Sequence, residues 1–291
     1  MVLRSKVELR EAVRQARCAG RTIGLVPTMG YLHEGHLSLA RRARRENDLV
    51  VMSIFVNPAQ FGPREDFERY PRDLERDLSL AAGVGVDVVF APEPGEMYAP
   101  GHATWVEVEG LDAPWEGTVR PGHFRGVATV VTKLLALVAP DRAYVGQKDA
   151  QQAVIIERLA ADLDLGAAIV VCPTVREADG LAMSSRNVYL TTQARRQARL
   201  LYVALSEAEA MVAGGQTDAA AVEAAVRGRL GDASLGAIDY VAVVGADDLR
   251  SVTRVEADTL VAVAIRFGST RLLDNTVVTP PRAGEEKPLD G

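Results

Sequence analysis

The 291-residue chain is short of cysteine, of long apolar runs and of net positive charge, and each shortage excludes a class of protein. Cys18 and Cys172 are too few and too badly spaced for a disulfide framework or a zinc site. Both are expected as small buried residues. The apolar stretches break off well before the length a bilayer span requires, so no membrane association is expected. Residues 1–20 alternate charged with apolar side chains and show no signal-peptide core. A soluble cytoplasmic protein is the reading. The formal net charge is -6, whereas a surface that coats nucleic acid carries a basic stripe and a high pI, so nucleic acid is not an expected partner. Arg41, Arg42, Arg44 and Arg45 form a local basic cluster that reads as a solvated helix face. There is neither an internal repeat nor a low-complexity tract.

What is present is core material in an alternating pattern. Hydrophobic residues make up 48% of the chain, enough for one large domain or two ordinary ones. Ser5-Lys-Val-Glu8 has the form of a capping box and opens a helix that reaches Cys18, with Gly20 as its stop. Strand-like runs follow at 23–26, 49–56, 86–90, 143–145 and 169–172, most of them separated by helical patterns such as 37–46 and 71–82. This alternation predicts an α/β fold: a Rossmann-like parallel sheet with helices on both faces. Residues 91–122, rich in Pro and Gly, form an excursion that holds a short strand at 105–108. Helix returns at 124–137, apolar on most sides, and at 149–163. After Pro173 come Ala-rich helices at 194–213 and 219–230, then strands at 240–244, 260–266 and 271–275, the order of a small α+β domain. Residues 281–291 have little to bury and read as a disordered tail.

Chemistry-bearing residues gather where strands end. In Gly24-Leu-Val-Pro-Thr-Met-Gly-Tyr-Leu-His33-Glu-Gly-His36 a strand over 22–26 breaks at Pro27, turns through Gly30 and Gly35, and starts a basic helix. The start of a helix offers unpaired N–H groups and the positive end of its dipole, a place to hold phosphate. His33 and His36 share one side of that turn; a satisfied surface pair is the alternative. Gly146-Gln-Lys148-Asp149-Ala-Gln-Gln152 repeats the order of strand, glycine, polar residues and helix. There Lys148 brings a point charge to a phosphate, Asp149 accepts from a ribose, and Gln152 lies one turn on. Met183-Ser184-Ser185-Arg186 offers hydroxyls and a guanidinium as an anion clamp, or else a cap and a surface arginine. Asn57 and Gln60 are amides with donors and acceptors, which suit a hydroxy acid. Asp73 and Asp77 stand at i,i+4 on a helix, placed for a hydrated Mg²⁺ or merely solvated. Residues 115–117 and 120–126 read as a basic loop near the ligand or as a rigid, capped start of a helix.

In succession, Val-Pro-Thr-Met-Gly-x-Leu-His-x-Gly-His, Phe-Val-Asn-Pro-x-Gln-Phe, Tyr-Pro-Arg, Arg-Pro-Gly-His-Phe-Arg-Gly-Val, Gly-x-Lys-Asp-x-Gln-Gln and Ser-Ser-Arg-Asn resemble the pantothenate synthetases (pantoate–β-alanine ligases) of the HxGH nucleotidyltransferase superfamily. The resemblance implies a Rossmann-like nucleotide- and pantoate-binding domain over 1–174, a C-terminal lid domain over 175–280, and a homodimer. It implies ATP as co-substrate with Mg²⁺, and the joining of pantoate to β-alanine through a pantoyl-adenylate. By motif, Met29, Gly30, Tyr31, Leu32, His33, Glu34, Gly35 and His36 line the nucleotide, with His36 as proton donor or charge stabiliser. Gly146, Gln147, Lys148 and Asp149 hold ATP, Val175 packs near the adenine, and Met183, Ser184, Ser185 and Arg186 clamp the triphosphate. Gln60 and Gln152 grip pantoate, Gln60 also meets β-alanine, Asn57 stands near the approach of the amine, and Asp77 helps to place Mg²⁺. Gln147 departs from the family pattern, in which an acidic residue is expected between Gly146 and Lys148. The HxGH loop alone also fits other nucleotidyltransferases. A phosphorylated acceptor would want Lys or Arg where this chain has Asn57, Gln60 and Gln152.

Overall fold

Strands buried on both faces need apolar side chains at odd and even positions alike, and the apolar runs supply them. A computed structural model of the chain describes residues 1–63, 65 and 67–281. The expected tail therefore lies, from residue 282 on, outside the described residues. In chain order the first unit contains β1 (Val2–Leu3), α1 (Lys6–Cys18), β2 (Ile23–Thr28), α2 (Glu34–Glu46), β3 (Leu49–Ile54), α3 (Leu74–Gly83) and β4 (Val88–Phe90). Two short helices, α4 (Pro94–Met97) and α5 (Glu116–Val119), precede α6 (His123–Val138), β5 (Arg142–Gly146), α7 (Ala150–Asp162) and β6 (Ala168–Cys172). The six strands form one parallel sheet in the order β1-β4-β3-β2-β5-β6. Ile23, Leu25, Leu49 and Val51 point into one core with α1, α6 and α7. Val26, Val50 and Met52 point into the other, with α2 and α3. Chain order reverses between β2 and β5, and in such sheets the crevice at the reversal is where ligands bind.

The second unit has its own core. It contains α8 (Thr192–Ala198), α9 (Leu200–Ala213), α10 (Ala219–Gly231) and an antiparallel sheet of β7 (Gly236–Gly245), β8 (Thr259–Phe267) and β9 (Thr270–Val278). Ala204, Leu205, Val222 and Val226 pack there against Val261, Val263 and Ile265. The first unit is Met1–Arg176 with Met183–Ser185, and the second is Glu177–Ala182 with the described residues from Arg186 onward. Among the described residues no helix is long and apolar enough to cross a membrane.

Several expectations are corrected. Residues 105–108 form no strand, because the backbone N–H of Val106 donates to Thr129 Oγ1 on α6 at 3.0 Å instead of to a neighbouring strand. The third helix starts at Leu74, with Asp73 capping the N–H of Arg76 at 3.1 Å, not at Pro71. The helix read over 194–213 is two, α8 and α9, which part at Arg199. Cys18 is exposed, and only Cys172 is buried. β1 was not foreseen, since two residues carry no periodicity; Val2 and Leu3 pair with Val89 and Phe90.

Candidate active site

Three loops at the carboxyl ends of β2, β3 and β5 carry many of the expected residues of the first unit. After β2 the chain turns and α2 begins with His33 as its N-cap and His36 one turn inside. The two imidazoles form a reciprocal cap: Gly35 N donates to His33 Nδ1 at 3.2 Å, and His33 N donates to His36 Nδ1 at 3.3 Å. An Nδ1 that accepts carries no proton, so each neutral ring bears its proton on Nε2 and is a donor there. The ring centroids are 4.1 Å apart. Gly35 leaves room for this cap, because a Cβ would stand 2.9 Å from the ring of His33. The same position lies 3.9 Å from Met183 Cβ, which brings the loop of Met183 beside the start of α2.

Burial, then the charge of neighbouring His33, push the His36 imidazole down from 6.5 to about 3; Asp149 opposes this and Lys148 adds to it. The residues expected after β5 are thus close enough to act on His36. At neutral pH His36 is uncharged, and its Nε2–H is a neutral hydrogen-bond donor. Lys148 Nζ lies 3.4 Å from Asp149 Oδ1, on the short 3₁₀ turn Gln147–Asp149 that leads into α7. Gln147 is part of that turn, and Gln152 lies half-buried on the first turn of α7.

Beyond β3, Asn57 caps the 3₁₀ turn Pro58–Gln60. Gln60 is buried, and its amide has a fixed orientation: Oε1 accepts from Asn57 Nδ2 at 3.1 Å, while Nε2 faces Met29 Sδ at 3.0 Å. Asn57 itself is 1% exposed and fully engaged. Its Nδ2 also donates to Gly126 O at 3.0 Å, and its Oδ1 accepts from Ala59 N at 3.3 Å and Tyr98 OH at 2.8 Å. It holds Gln60 through the bond to Oε1.

Sequence reasoning missed the second support of Gln60. The carbonyl of Gln60 accepts from His123 Nδ1 at 2.9 Å, which leaves Nε2 to accept from Arg120 Nη1 at 2.9 Å. Arg120 grips Glu65 at 2.5 and 3.0 Å. Arg120 and His123 stood in the Arg-Pro-Gly-His run already noted, but composition could not choose between a ligand loop and the start of a helix. They prove to brace the turn of Gln60.

Val175 and Met183 are joined by Met183 N donating to Val175 O at 3.0 Å. Ser185 Oγ donates to Tyr70 OH at 3.4 Å, and both residues are buried in the first unit. Ser184 belongs to that unit as well, while Arg186 belongs to the second. Asp77 turns inward to the loop after β2: its Oδ2 accepts from Tyr31 N and its Oδ1 from Leu32 N, both at 2.7 Å.

A doubly wound sheet with histidines and a lysine at its point of reversal defines a nucleotide-binding α/β protein of the nucleotidyltransferase type. The comparisons are more specific. The family model for pantoate-beta-alanine ligase matches residues 1–277, and the chain belongs to that family. It is 54% identical over 277 residues to the pantothenate synthetase of Acetivibrio thermocellus, covering 95% of this chain and 99% of that one. A crystal structure of pantothenate synthetase from Thermus thermophilus superposes with a TM-score of 0.91 at 49% identity, over 96% of this chain and 99% of that one. The pantoate-beta-alanine ligase of Francisella tularensis, crystallised with beta-gamma ATP and beta-alanine, gives 0.78 at 32% identity over 95% and 97%.

Proposed function

We propose that the chain condenses (R)-pantoate with β-alanine to pantothenate at the expense of ATP, through a pantoyl-adenylate. A pantoate carboxylate oxygen attacks the α-phosphorus, the bond from that phosphorus to the bridging oxygen breaks, and pyrophosphate leaves. The amine of β-alanine then attacks the acyl carbon and expels AMP, losing one proton to solvent. The observation that carries this reading is the pair of Nε2–H donors at the start of α2, within electrostatic reach of Lys148 at the sheet's point of reversal. Preorganised donors are most valuable where charge accumulates, here on the leaving pyrophosphate. Gly146, Lys148 and Asp149 serve the nucleotide, with Val175 near the base and Ser184, Ser185 and Arg186 at the triphosphate. Gln60 and Gln152 hold pantoate. Gln60 is suited to this because Asn57 fixes its Oε1 and so determines which atoms it presents. Holding the carboxylate in line with the phosphorus contributes much of the rate, since positioning supplies effective molarities of about 10⁵ M or more.

Mg²⁺ belongs to the reaction that the resemblance implies, but the residues assigned to it do not fit. Asp77 is 1% exposed with both oxygens accepting backbone N–H groups of the loop, and Asp73 caps a helix. The homodimer, the lid role of residues 175–280 and a cytoplasmic location rest on the resemblance. Sedimentation at twice the chain mass of 31.2 kDa checks the first of these. The central test is AMP formation from ATP, pantoate, β-alanine and Mg²⁺, omitting each in turn. Pyrophosphate release that requires pantoate but not β-alanine supports the adenylate route. Release that requires both substrates together rejects it.

A further inference from the structure

We infer that Asp77 is a positioning residue that sets the turn leading to His33 and His36, and not a ligand of a metal ion. The inference rests on the proposed role of those histidines. A carboxylate 1% exposed needs strong partners, and Asp77 takes its partners from the loop it braces: Tyr31 N and Leu32 N, each at 2.7 Å. Tyr31 has φ 48, a left-handed conformation that costs a side-chain-bearing residue energy and persists only when its surroundings impose it. Asp77 and its neighbour impose it from two sides. Arg76 stacks on the ring of Tyr31 at 5.3 Å and lies 3.6 Å from Asp77 Oδ1, while Asp77 holds the backbone. Space is confined as well, for a Cβ on Gly30 would meet Asp77 Oδ2 and Ile54 Cγ2, each at 2.9 Å.

The turn leaves the chain at Leu32 with the direction that makes His33 an N-cap, and the reciprocal cap then fixes both rings. Mg²⁺ keeps several waters around it, and a carboxylate 1% exposed with both oxygens turned to the loop's N–H groups offers it no wet face. Burial pushes the carboxyl of Asp77 up, and the two backbone bonds oppose that shift. Asp77→Asn keeps the volume but replaces one accepting oxygen with a donor, which leaves one loop N–H unanswered.

The test uses the full chain with Asp77→Asn and Asp77→Glu, checked for folding by thermal melts. The readouts are pantoate-dependent pyrophosphate release across a Mg²⁺ series and hydrogen exchange of the segment 29–37. The expected result is a fall in kcat of about 10- to 100-fold, the cost of slight misplacement of reacting groups, with the half-saturating Mg²⁺ concentration and the KM for pantoate unchanged. Exchange at Tyr31 and Leu32 should quicken while the rest of the chain is unaffected. A raised Mg²⁺ requirement, with kcat restored at saturating Mg²⁺, overturns the inference in favour of a metal ligand. Unaltered exchange at 29–37 in both variants also overturns it. If the unmodified chain releases no pyrophosphate with pantoate, the proposed function fails, and the exchange arm still decides whether Asp77 sets the turn.

Discussion

His36 couples chemistry to stability in a single ring. The folded chain holds it neutral, with its imidazole pushed down to about 3, whereas the unfolded chain protonates it near the ordinary value of 6.5. Between those values the unfolded state binds more protons, so this contribution is complete above the ordinary value and is lost as the pH falls toward the lower one. Thermal melts should therefore show the native chain losing stability relative to His36→Ala between about pH 7.5 and about pH 5. A constant gap would show that His36 ionises alike in both states. In the same variant pantoate-dependent pyrophosphate release should fall by about 10²- to 10³-fold, the usual cost of one preorganised donor. The spacing of His33 and His36 was legible because it is local in sequence. Their tautomers were not, because these depend on which backbone N–H each Nδ1 meets. Asn57 shows the same limit. An amide beside a strand end reads as a ligand group, and only the bonds to Gly126 and Tyr98 reveal a support.

At the scale of elements, the loops hold their positions because the helices come very close to them. Gly126 on α6 faces the 3₁₀ turn of Gln60, where a Cβ would stand 2.6 Å from Gln60 Cα and collide with the carbonyl of Ala59. Gly126→Ala must push α6 and that turn apart, an overpacking strain of about 1–3 kcal/mol. The expected signature is a lower Tm together with a raised KM for pantoate and an unchanged affinity for ATP by calorimetry. Loss of ATP affinity instead would separate Gln60 from the pantoate subsite. The apolar runs exposed the parallel sheet to sequence reading, because both faces of its strands are buried and the runs are short and alternate with helical patterns. The start of α3 and the division of α8 from α9 were hidden, since they follow from the cap at Asp73 and from tertiary packing.

Across the whole molecule, two units that each have core of their own imply two cooperative transitions. Calorimetry should give a calorimetric enthalpy larger than the van't Hoff value. Ile265→Ala, at a fully buried position of β8, should lower the stability of the second unit by about 2–5 kcal/mol and leave the other transition in place. A single transition that shifts as a whole would contradict the independence of the units. Composition marked a change of character at Pro173, but it could not show that Met183–Ser185 return to the first unit, since their ties to Val175 and Tyr70 are contacts of the folded chain. That return has a consequence for recombination between relatives. The chain changes unit after Arg176, after Ala182 and after Ser185, so no single crossover point exchanges one unit intact. A chimera joined at residue 176 would give the first unit a foreign Met183, Ser184 and Ser185. The hydroxyls proposed to meet the triphosphate would then be inherited with the helices of the second unit, and the two units must diverge in step at this loop even where their cores drift apart.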